Sequence, residues 1–241
     1  MKKILLSTII LILIFTSCNF SKEGTSNMDR KYSIDPSKPV IALTFDDGPN
    51  TTTTVEMLDK LEKYDVVASF FVVGNHINDA TKDVIKRAYD MGCEINNHSR
   101  THAAMTSLTG EEIKEEVKYT DDKVFEITGE RTKFFRPPYI ATNDTVYDSI
   151  DLPFICGYGS TDYEDNVSPQ ERSTKILEQI TDGGIILLHD FEGNSKTVEA
   201  MDLLIPALIE QGYQFATVSQ LFEVKGIEPS LENGVIYTVV K

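Results

Sequence analysis

Positive charge is scarce in this sequence, which carries 23 Lys and Arg residues against 38 Asp and Glu residues and a formal net charge of −15. A surface of that sign repels nucleic acids and other polyanions, and no cluster of Lys or Arg reverses the sign locally. Nucleic-acid binding is therefore excluded, and neutral or cationic partners are favoured.

Cysteine is also scarce, since the 241 residues include only Cys18, Cys93 and Cys156. Cys93 and Cys156 lie in apolar, strand-like stretches, where a buried free thiol is the commonest role. The sequence therefore predicts no disulfide framework.

The sequence lacks an apolar run that is long enough to span a membrane comfortably. The apolar run near the N-terminus follows two lysines and precedes small residues, which is the layout of an export signal. The stretch that ends at Cys18 resembles the bacterial lipobox, in which the cysteine is lipidated, although Phe15 stands where Leu is usual. An uncleaved anchor with an incidental cysteine is the alternative. Either arrangement places the domain outside the cytoplasm.

The 241-residue sequence is 41% hydrophobic and 25% charged, which suits one large domain better than two small ones. We expect a lipoprotein signal peptide at 1–17, a flexible polar tether at 18–38, a single folded domain at 39–223 and a C-terminal extension at 224–241. We expect the protein to be a monomer that is attached to the membrane through the lipidated Cys18.

Short apolar runs alternate with amphipathic stretches of a dozen or more residues, which indicates repeated βα units. The Val, Ile, Leu and Phe content of these runs is typical of parallel strands that are covered on both faces. The first βα turn lacks a dinucleotide-type glycine pattern, so we predict an α/β fold, a distorted (β/α) barrel with about seven parallel strands. The predicted strands are 40–45, 67–73, 93–96, 132–136, 153–158, 185–188 and 213–218.

Polar side chains that could take part in catalysis or metal binding lie at the carboxyl ends of five of these strands. They are Asp46 and Asp47, His98 and His102, Arg136, Asp162 and Asp165, and His189. Because the carboxyl ends of the strands of a parallel barrel share one rim, where active sites are built, we expect these residues to lie together.

Two histidines four residues apart, His98 and His102, can both reach one metal ion if they share a face. With Asp47 as a third ligand, coordination positions stay open, as a catalytic metal site requires. The same ligand set also suits non-haem iron oxygenases, so the ligands alone do not identify the reaction. The adjacent Asp46 can serve as the base of a hydrolytic site, which favours hydrolysis.

Three further positions have candidate roles beside simpler structural ones. Arg136 can orient Asp46, or it can form an ordinary salt bridge on the rim. His189 can donate a proton to a leaving group if a carboxylate such as Asp165 raises its pKa, although a lone histidine there is more often a core residue. The remaining histidine, His76, lies in no pattern with other candidate ligands or catalytic groups, and we expect it to be a loop residue.

The motifs TFDDGP, HSRTH, RPPY, DYED and LLHD, in this order, strongly resemble those of the polysaccharide deacetylases of carbohydrate esterase family four, over residues 39–222. The resemblance implies a distorted barrel that removes acetyl groups with zinc, or sometimes another divalent metal such as cobalt. It also implies a role for each matching residue. Asp46 would be the base, Asp47, His98 and His102 the metal ligands, Arg136 the tether of Asp46, the N–H of Tyr139 an oxyanion donor, His189 the acid, Asp165 its tuning partner, and Leu187 a wall of the acetyl pocket.

Two positions depart from the family pattern. The fourth motif usually contains Asp-Trp, but Asn166 follows Asp165 here, and the chain has no Trp. The residue that usually forms one apolar wall of the acetyl pocket is therefore absent. Tyr163 and Leu187 are candidates for apolar walls around a small acyl group, with core packing as the alternative for Leu187. Ile140 follows Tyr139 where the family often has Gly, which predicts a different loop.

We expect an acetylated polysaccharide as the substrate, with N-deacetylation of N-acetylglucosamine polymers, such as peptidoglycan or chitin-type chains, as the first choice. Acetylxylan esterase activity is the alternative within the same family. A lipoprotein that binds glycans without catalysis is the alternative from another class.

Overall fold

The computed structural model describes residues 34–241. The predicted signal peptide, the lipid anchor on Cys18 and most of the predicted tether lie outside the described residues. Between residues 34 and 241, no helix combines the length and the apolar character needed to cross a membrane.

Eight short strands and seven α-helices follow one another along this part of the chain. The strands are β1 (Val40–Asp46), β2 (Ser69–Val72), β3 (Glu94–Asn97), β4 (Phe154–Ile155), β5 (Tyr158–Gly159), β6 (Ile185–His189), β7 (Gln214–Ala216) and β8 (Ile236–Tyr237). The helices are α1 (Thr53–Tyr64), α2 (Lys82–Asp90), α3 (Gly110–Thr128), α4 (Asp144–Ser149), α5 (Pro169–Gln179), α6 (Ser195–Glu210) and α7 (Val218–Lys225).

Strand β1 is the centre of the sheet. Its carboxyl half pairs in parallel with β2 and β6, and its amino half pairs with β7. Within the sheet, β3 lies on the outer side of β2, and β5 lies on the outer side of β6. Single bridges at Phe135 then connect β3 to β4. The order and direction of the strands confirm the predicted α/β fold, a distorted barrel whose carboxyl ends form one rim.

Alternation along β1 separates the two sides of the barrel wall. Ile41, Leu43 and Phe45 belong to the apolar layer that the helices cover, whereas Val40 and Ala42 belong to the cluster on the other side of the strand. Because side chains alternate with a period of two, Asp46 continues the row of Val40 and Ala42. The first carboxylate of the DD pair therefore enters the barrel at its rim.

Two helices begin with a capping box, in which Ser or Thr lies three residues before Glu. Thr109 caps α3 and exchanges hydrogen bonds with Glu112, and Ser168 caps α5 and exchanges hydrogen bonds with Glu171. These caps fix the first residues of α3, which follows His102 in the chain, and of α5, which follows Asp162 and Asp165.

The predicted fourth strand, 132–136, was too long. Only Phe135 forms bridges there, because the Asn96 side chain accepts the N–H groups of Lys133 and Phe134 that would otherwise extend a ladder. After Arg136, Pro137 and Pro138 have no N–H group that could continue the ladder.

The predicted fifth strand, 153–158, is two strands. Its first part, β4, pairs with β8, and its second part, β5, pairs with β6. Between them, the Arg136 side chain binds the carbonyl groups of Ile155 and Cys156, which interrupts one continuous ladder.

The predicted domain end at residue 223 was also wrong. Helix α7 runs through this position to Lys225, and β8 pairs with β4. Val240 is buried in the core, and its N–H and C=O lie against Gly183, where an added Cβ would come within 2.2 Å of the Val240 oxygen. The C-terminal segment is therefore part of the barrel.

Candidate active site and metal centre

Asp46 and Arg136 form a buried ion pair at the mouth of the barrel. Arg136 Nη1 lies 2.5 Å from Asp46 Oδ1, and both side chains are almost fully buried. The guanidinium also donates to the Cys156 carbonyl at 2.8 Å and lies over the Phe71 ring at 4.1 Å. These contacts hold Arg136 in place, so its charge-assisted bond fixes the orientation of the Asp46 carboxylate.

Asp47, His98 and His102 converge beside this pair. Asp47 Oδ1 lies 3.4 Å from the Nε2 atoms of both histidines, and the three candidate ligand atoms lie within 4.8 Å of one another. Asp47 and His102 have positive φ values of 76° and 58°. Their backbone conformations turn the two side chains back toward one point.

The hydrogen bonds of this cluster fit a cation. His98 Nδ1 lies 2.7 Å from the Arg136 carbonyl, which can only accept, so in a neutral ring Nδ1 carries the proton and Nε2 presents a lone pair. That lone pair faces Asp47 Oδ1, a buried oxygen for which no residue in 34–241 provides a hydrogen bond. A cation between the two atoms would accept both lone pairs, whereas without a cation the contact requires a proton on His98 Nε2.

Both ionisation states required of the ligands are favoured here. Burial raises the pKa of Asp47, but the neighbouring histidines outweigh it and lower the value to about 2. Burial lowers the pKa of His102 below its usual value. A carboxylate and a neutral imidazole are the forms that bind a divalent metal.

His189 lies across from Asp46, because the two residues are paired in the register of β1 and β6. Its Nδ1 atom lies 2.8 Å from Asp162 Oδ1, and its backbone N–H donates to Asp162 Oδ2. Burial lowers the pKa of His189, but the bond to Asp162 and the charges of Asp46 and Asp47 raise it to about 9. His189 is therefore protonated at neutral pH.

The predicted pairing of His189 with Asp165 was wrong. Asp165 is fully exposed, and its carboxylate lies 3.0 Å from Lys196 Nζ. Asp162 takes its place because the chain turns at Thr161, whose φ is 57°, directly after β5. The buried Asp162 also accepts from Thr197 at 2.9 Å. Both aspartates follow the fifth strand, so spacing alone did not separate them.

Aromatic side chains surround the candidate metal ligands and His189. Tyr139 is 69% exposed, and its ring centroid lies 4.7 Å from that of His102. Tyr163 is 58% exposed and lies 5.7 Å from His189. Phe191 was not predicted to belong to the site, but its ring centroid lies 6.4 Å from that of His189. Its signal was the aromatic residue directly after the LLHD motif.

The segment that carries the family departure at Ile140 is unusual. Tyr139 and Ile140 have φ values of 60° and 53°, two consecutive left-handed residues without glycine. The next two N–H groups, those of Ile140 and Ala141, donate back to the Pro137 and Pro138 carbonyls at 2.9 and 3.2 Å. Leu187, the other predicted substrate-binding residue, is a buried residue of β6. Its register partners are Thr44 and Gly159.

Asp190, for which no role was predicted, anchors the loop after β1. Its fully buried carboxyl group accepts from the Gly48 N–H at 3.1 Å and from the Thr54 hydroxyl at 2.6 Å. A Cβ at Gly48 would lie 2.5 Å from Asp190 Oδ2, so the close approach requires glycine there. Asp190 thereby holds the residue next to Asp47.

We expect Asp190→Ala to be less stable than Asp190→Asn by about 1–3 kcal/mol, because alanine leaves the buried Gly48 N–H without an acceptor. The asparagine oxygen can still accept that bond. Urea unfolding of both variants at one pH measures the difference. Equal stabilities would show that these hydrogen bonds do not support the loop.

Known proteins resemble this chain along most of its length. The family model described as polysaccharide deacetylase matches residues 33–152. The bifunctional xylanase/deacetylase of Pseudobutyrivibrio xylanivorans is 43% identical over 227 residues, which are 94% of this chain and 36% of that protein. The peptidoglycan-N-acetylmuramic acid deacetylase PdaC of Bacillus subtilis is 36% identical over 205 residues, which are 85% of this chain and 43% of that protein.

A solved structure is similar over the whole domain. The family 4 acetyl xylan esterase from Clostridium thermocellum, in complex with a cobalt ion, is 37% identical with a TM-score of 0.81. The match covers 83% of this chain and 98% of that chain. This chain thus corresponds to nearly all of a solved esterase domain, but it spans less than half the length of the two curated relatives.

Proposed function

Because the chain belongs to the polysaccharide deacetylases of carbohydrate esterase family four, we propose that it is a metal-dependent hydrolase that removes acetyl groups from a polysaccharide. The observation that carries this proposal is the meeting of a tethered carboxylate, three metal-ligand side chains and a protonated histidine at one barrel mouth. Each of these groups has a separate task in acetyl hydrolysis.

Asp46 is the general base. It takes a proton from the attacking water, and Arg136 holds the carboxylate in the orientation for this transfer. Asp46 Oδ2 lies 3.8 Å from His98 Nε2, so the base is next to the candidate ligands without occupying their common point.

Asp47, His98 and His102 would hold a divalent ion, zinc as the first choice and cobalt as the second. When bound, the ion polarises the acetyl carbonyl and makes water more acidic. The similarity to an esterase described with cobalt supports a divalent ion of this kind.

His189 is the general acid that protonates the leaving amine or alkoxide, with Asp162 as the positioning residue that keeps it charged. The Tyr139 N–H is the oxyanion donor. Leu187, Tyr163 and Phe191 supply apolar surface for the acetyl group, and Phe191 adds surface that the absent Trp would otherwise provide.

We expect Asp162→Asn to move the alkaline limb of the pH–rate profile to lower pH. The acid acts only while His189 is protonated, so the rate falls as pH rises through its pKa of about 9. Removing the Asp162 charge lowers that pKa toward its ordinary value near 6.5. Asp165→Asn is the matched control, and its profile should stay that of the wild type.

Two substrates are candidates, and different observations favour each of them. The relative PdaC bears the name of a peptidoglycan deacetylase, which supports an amide of a cell-wall polymer. The names of the other relative and of the solved structure contain xylan, which supports an acetyl ester of xylan. The catalytic side chains do not separate them, because both substrates present nearly the same acetyl carbonyl.

Acetate release from chitooligosaccharides, peptidoglycan and acetylxylan tests the function and the substrate together. An amine leaves only when protonated, whereas an alkoxide tolerates a weaker acid. His189→Ala should therefore lose about 10²–10⁴-fold on an amide and much less on an ester. Glycan binding without acetate release on this panel, with zinc or cobalt added, would support a binding lipoprotein instead.

The location of the protein is a separate proposal. We propose that the domain acts outside the cytoplasm on a lipid anchor at Cys18, which the lipobox-like stretch before this residue supports. Labelled palmitate should enter the wild type and not Cys18→Ser, and equal labelling of the two would refute the anchor.

A further inference from the structure

Arg172, in the first turn of α5, is a charged side chain with almost no access to solvent, since it is 2% exposed. Two of its hydrogen bonds hold the loop that begins at Asp162. Nε and Nη2 donate to the carbonyl groups of Val167 and Glu164, each at 3.0 Å. Burying a charge in this way costs free energy unless the surroundings compensate for it. Arg172 therefore belongs to a buried polar network and not to the surface.

The other two hydrogen bonds of Arg172 connect it to the start of α6. Nη1 lies 2.6 Å from Oδ1 of Asn194, the residue before the helix, and 2.7 Å from the hydroxyl of Thr197, in its first turn. A guanidinium can only donate, so the Asn194 and Thr197 oxygens are both acceptors toward Arg172. The Asn194 amide hydrogens and the Thr197 hydroxyl hydrogen are therefore left to donate elsewhere.

Both of these donors face the same oxygen of Asp162. The Thr197 hydroxyl lies 2.9 Å from Asp162 Oδ2, and Asn194 Nδ2 lies 3.4 Å from it. The His189 backbone N–H also donates to Oδ2, at 2.8 Å, which leaves Oδ1 for the His189 ring, at 2.8 Å. Three donors thus hold one oxygen of the Asp162 carboxylate, and the other oxygen is presented to His189 Nδ1.

Asp162 is also the main counter-charge of Arg172. The four hydrogen bonds of the guanidinium go to uncharged oxygens. Burial lowers the pKa of Arg172, and among the neighbouring carboxylates the charge of Asp162 opposes this lowering most strongly. One hydroxyl and one amide separate the two charges. The cation therefore stabilises the carboxylate without competing with His189 for Oδ1.

We propose that Arg172 is a positioning residue for the catalytic acid. Through Thr197 and Asn194 it orients the Asp162 carboxylate, which in turn holds the His189 ring with its Nε2–H toward the leaving group. In the acid step Nε2 gives its proton to the leaving oxygen or nitrogen, which keeps the electron pair of its broken bond to the acetyl carbon. This inference rests on the proposed function for the reaction, whereas the hydrogen-bond network exists without substrate.

Substrates with different leaving groups test this role. 4-Nitrophenyl acetate releases a phenolate that leaves without a proton, whereas acetylated xylooligosaccharides and chitopentaose release groups that need one. Thr197→Val should lower kcat/KM for the oligosaccharides by about 10–100-fold, mainly through kcat, and leave the small ester nearly unchanged. Thr197→Ser keeps the hydroxyl and should stay near the wild type. Arg172→Met should repeat the pattern of Thr197→Val, because it removes the donor that sets the direction of that hydroxyl.

Thr132→Val is the matched control, since the buried Thr132 hydroxyl also donates to a carboxylate, that of Asp121, at 2.9 Å. This bond lies outside the network of Arg172, so the ratio of the two kcat/KM values should stay that of the wild type. Equal losses of Thr197→Val on both kinds of substrate would overturn the inference, because the effect would then be a general one on the fold. A ratio that does not differ between Thr197→Val and Thr132→Val would also overturn it.

A readout without substrate separates this inference from the proposed activity. The His189 Nδ1 proton, held against Asp162 Oδ1, should give a downfield resonance in the proton NMR spectrum that is absent in His189→Gln. The resonance should keep its position in Thr197→Ser and Thr132→Val, and it should move or broaden in Thr197→Val and Arg172→Met. This result supports the inference even if no acetate is released. Thr197→Val decides the comparison if Arg172→Met does not fold, and a resonance that is the same in Thr197→Val and Thr132→Val would overturn the inference.

Discussion

Asp46→Asn should lower kcat/KM for acetate release by about 10²–10⁴-fold, the usual loss when a general base is removed. The asparagine amide cannot take a proton from water, although it has nearly the same shape as the carboxylate. Arg136 keeps its bonds to the Ile155 and Cys156 carbonyls in the variant, so the wall that surrounds residue 46 should stay in place.

The measurement is single-substrate kinetics together with the metal content and melting temperature of the variant. Bound metal should stay at the wild-type level, because Asp46 is not one of the three converging ligand residues. A variant that keeps both its metal and its wild-type rate would contradict the role of Asp46 as the base. Loss of metal together with loss of rate would instead make Asp46 a ligand.

Removing the metal should cost about 10³-fold or more in rate, since a Lewis acid contributes several kcal/mol to the barrier. The wild type should lose activity on chelation and recover it with added zinc or cobalt. His98→Ala should not recover, because it removes a buried ligand whose lone pair faces Asp47 Oδ1 at 3.4 Å. Acetate release before and after chelation measures the effect.

A readout without substrate checks the same site. Added zinc should raise the melting temperature of the wild type, because an ion that binds only the folded state stabilises it. The melting temperature of His98→Ala should respond much less. Full activity of thoroughly chelated wild type, with no response of its melting temperature to zinc, would refute a metal centre at this position.

Particular residues show how far sequence reasoning reached. Asp46 was expected at the carboxyl end of the first strand, with Arg136 as its partner, and the structure places Arg136 Nη1 2.5 Å from Asp46 Oδ1. His98 and His102 were expected to meet Asp47, and their Nε2 atoms lie 3.4 Å from its Oδ1. Strand ends and short motifs carry these results because each depends on few residues.

Other positions needed contacts between distant segments. Asp162 and Asp165 both follow the fifth strand, and only the turn at Thr161 and the packing of Thr197 select Asp162 for His189. In the same way, the anchoring of the loop after β1 by Asp190 joins residues about 140 positions apart. No local pattern contains such a pairing.

We could predict from the sequence the class of the fold, the rim on which the polar residues gather, and the family to which the chain belongs. These follow from apolar periodicity, strand ends and short motifs, which are properties of neighbouring residues. Contacts in the tertiary structure were needed to show which aspartate pairs with His189 and how Phe135 and the C-terminal strand connect to the barrel. Each of these depends on the packing of segments that are far apart in the chain.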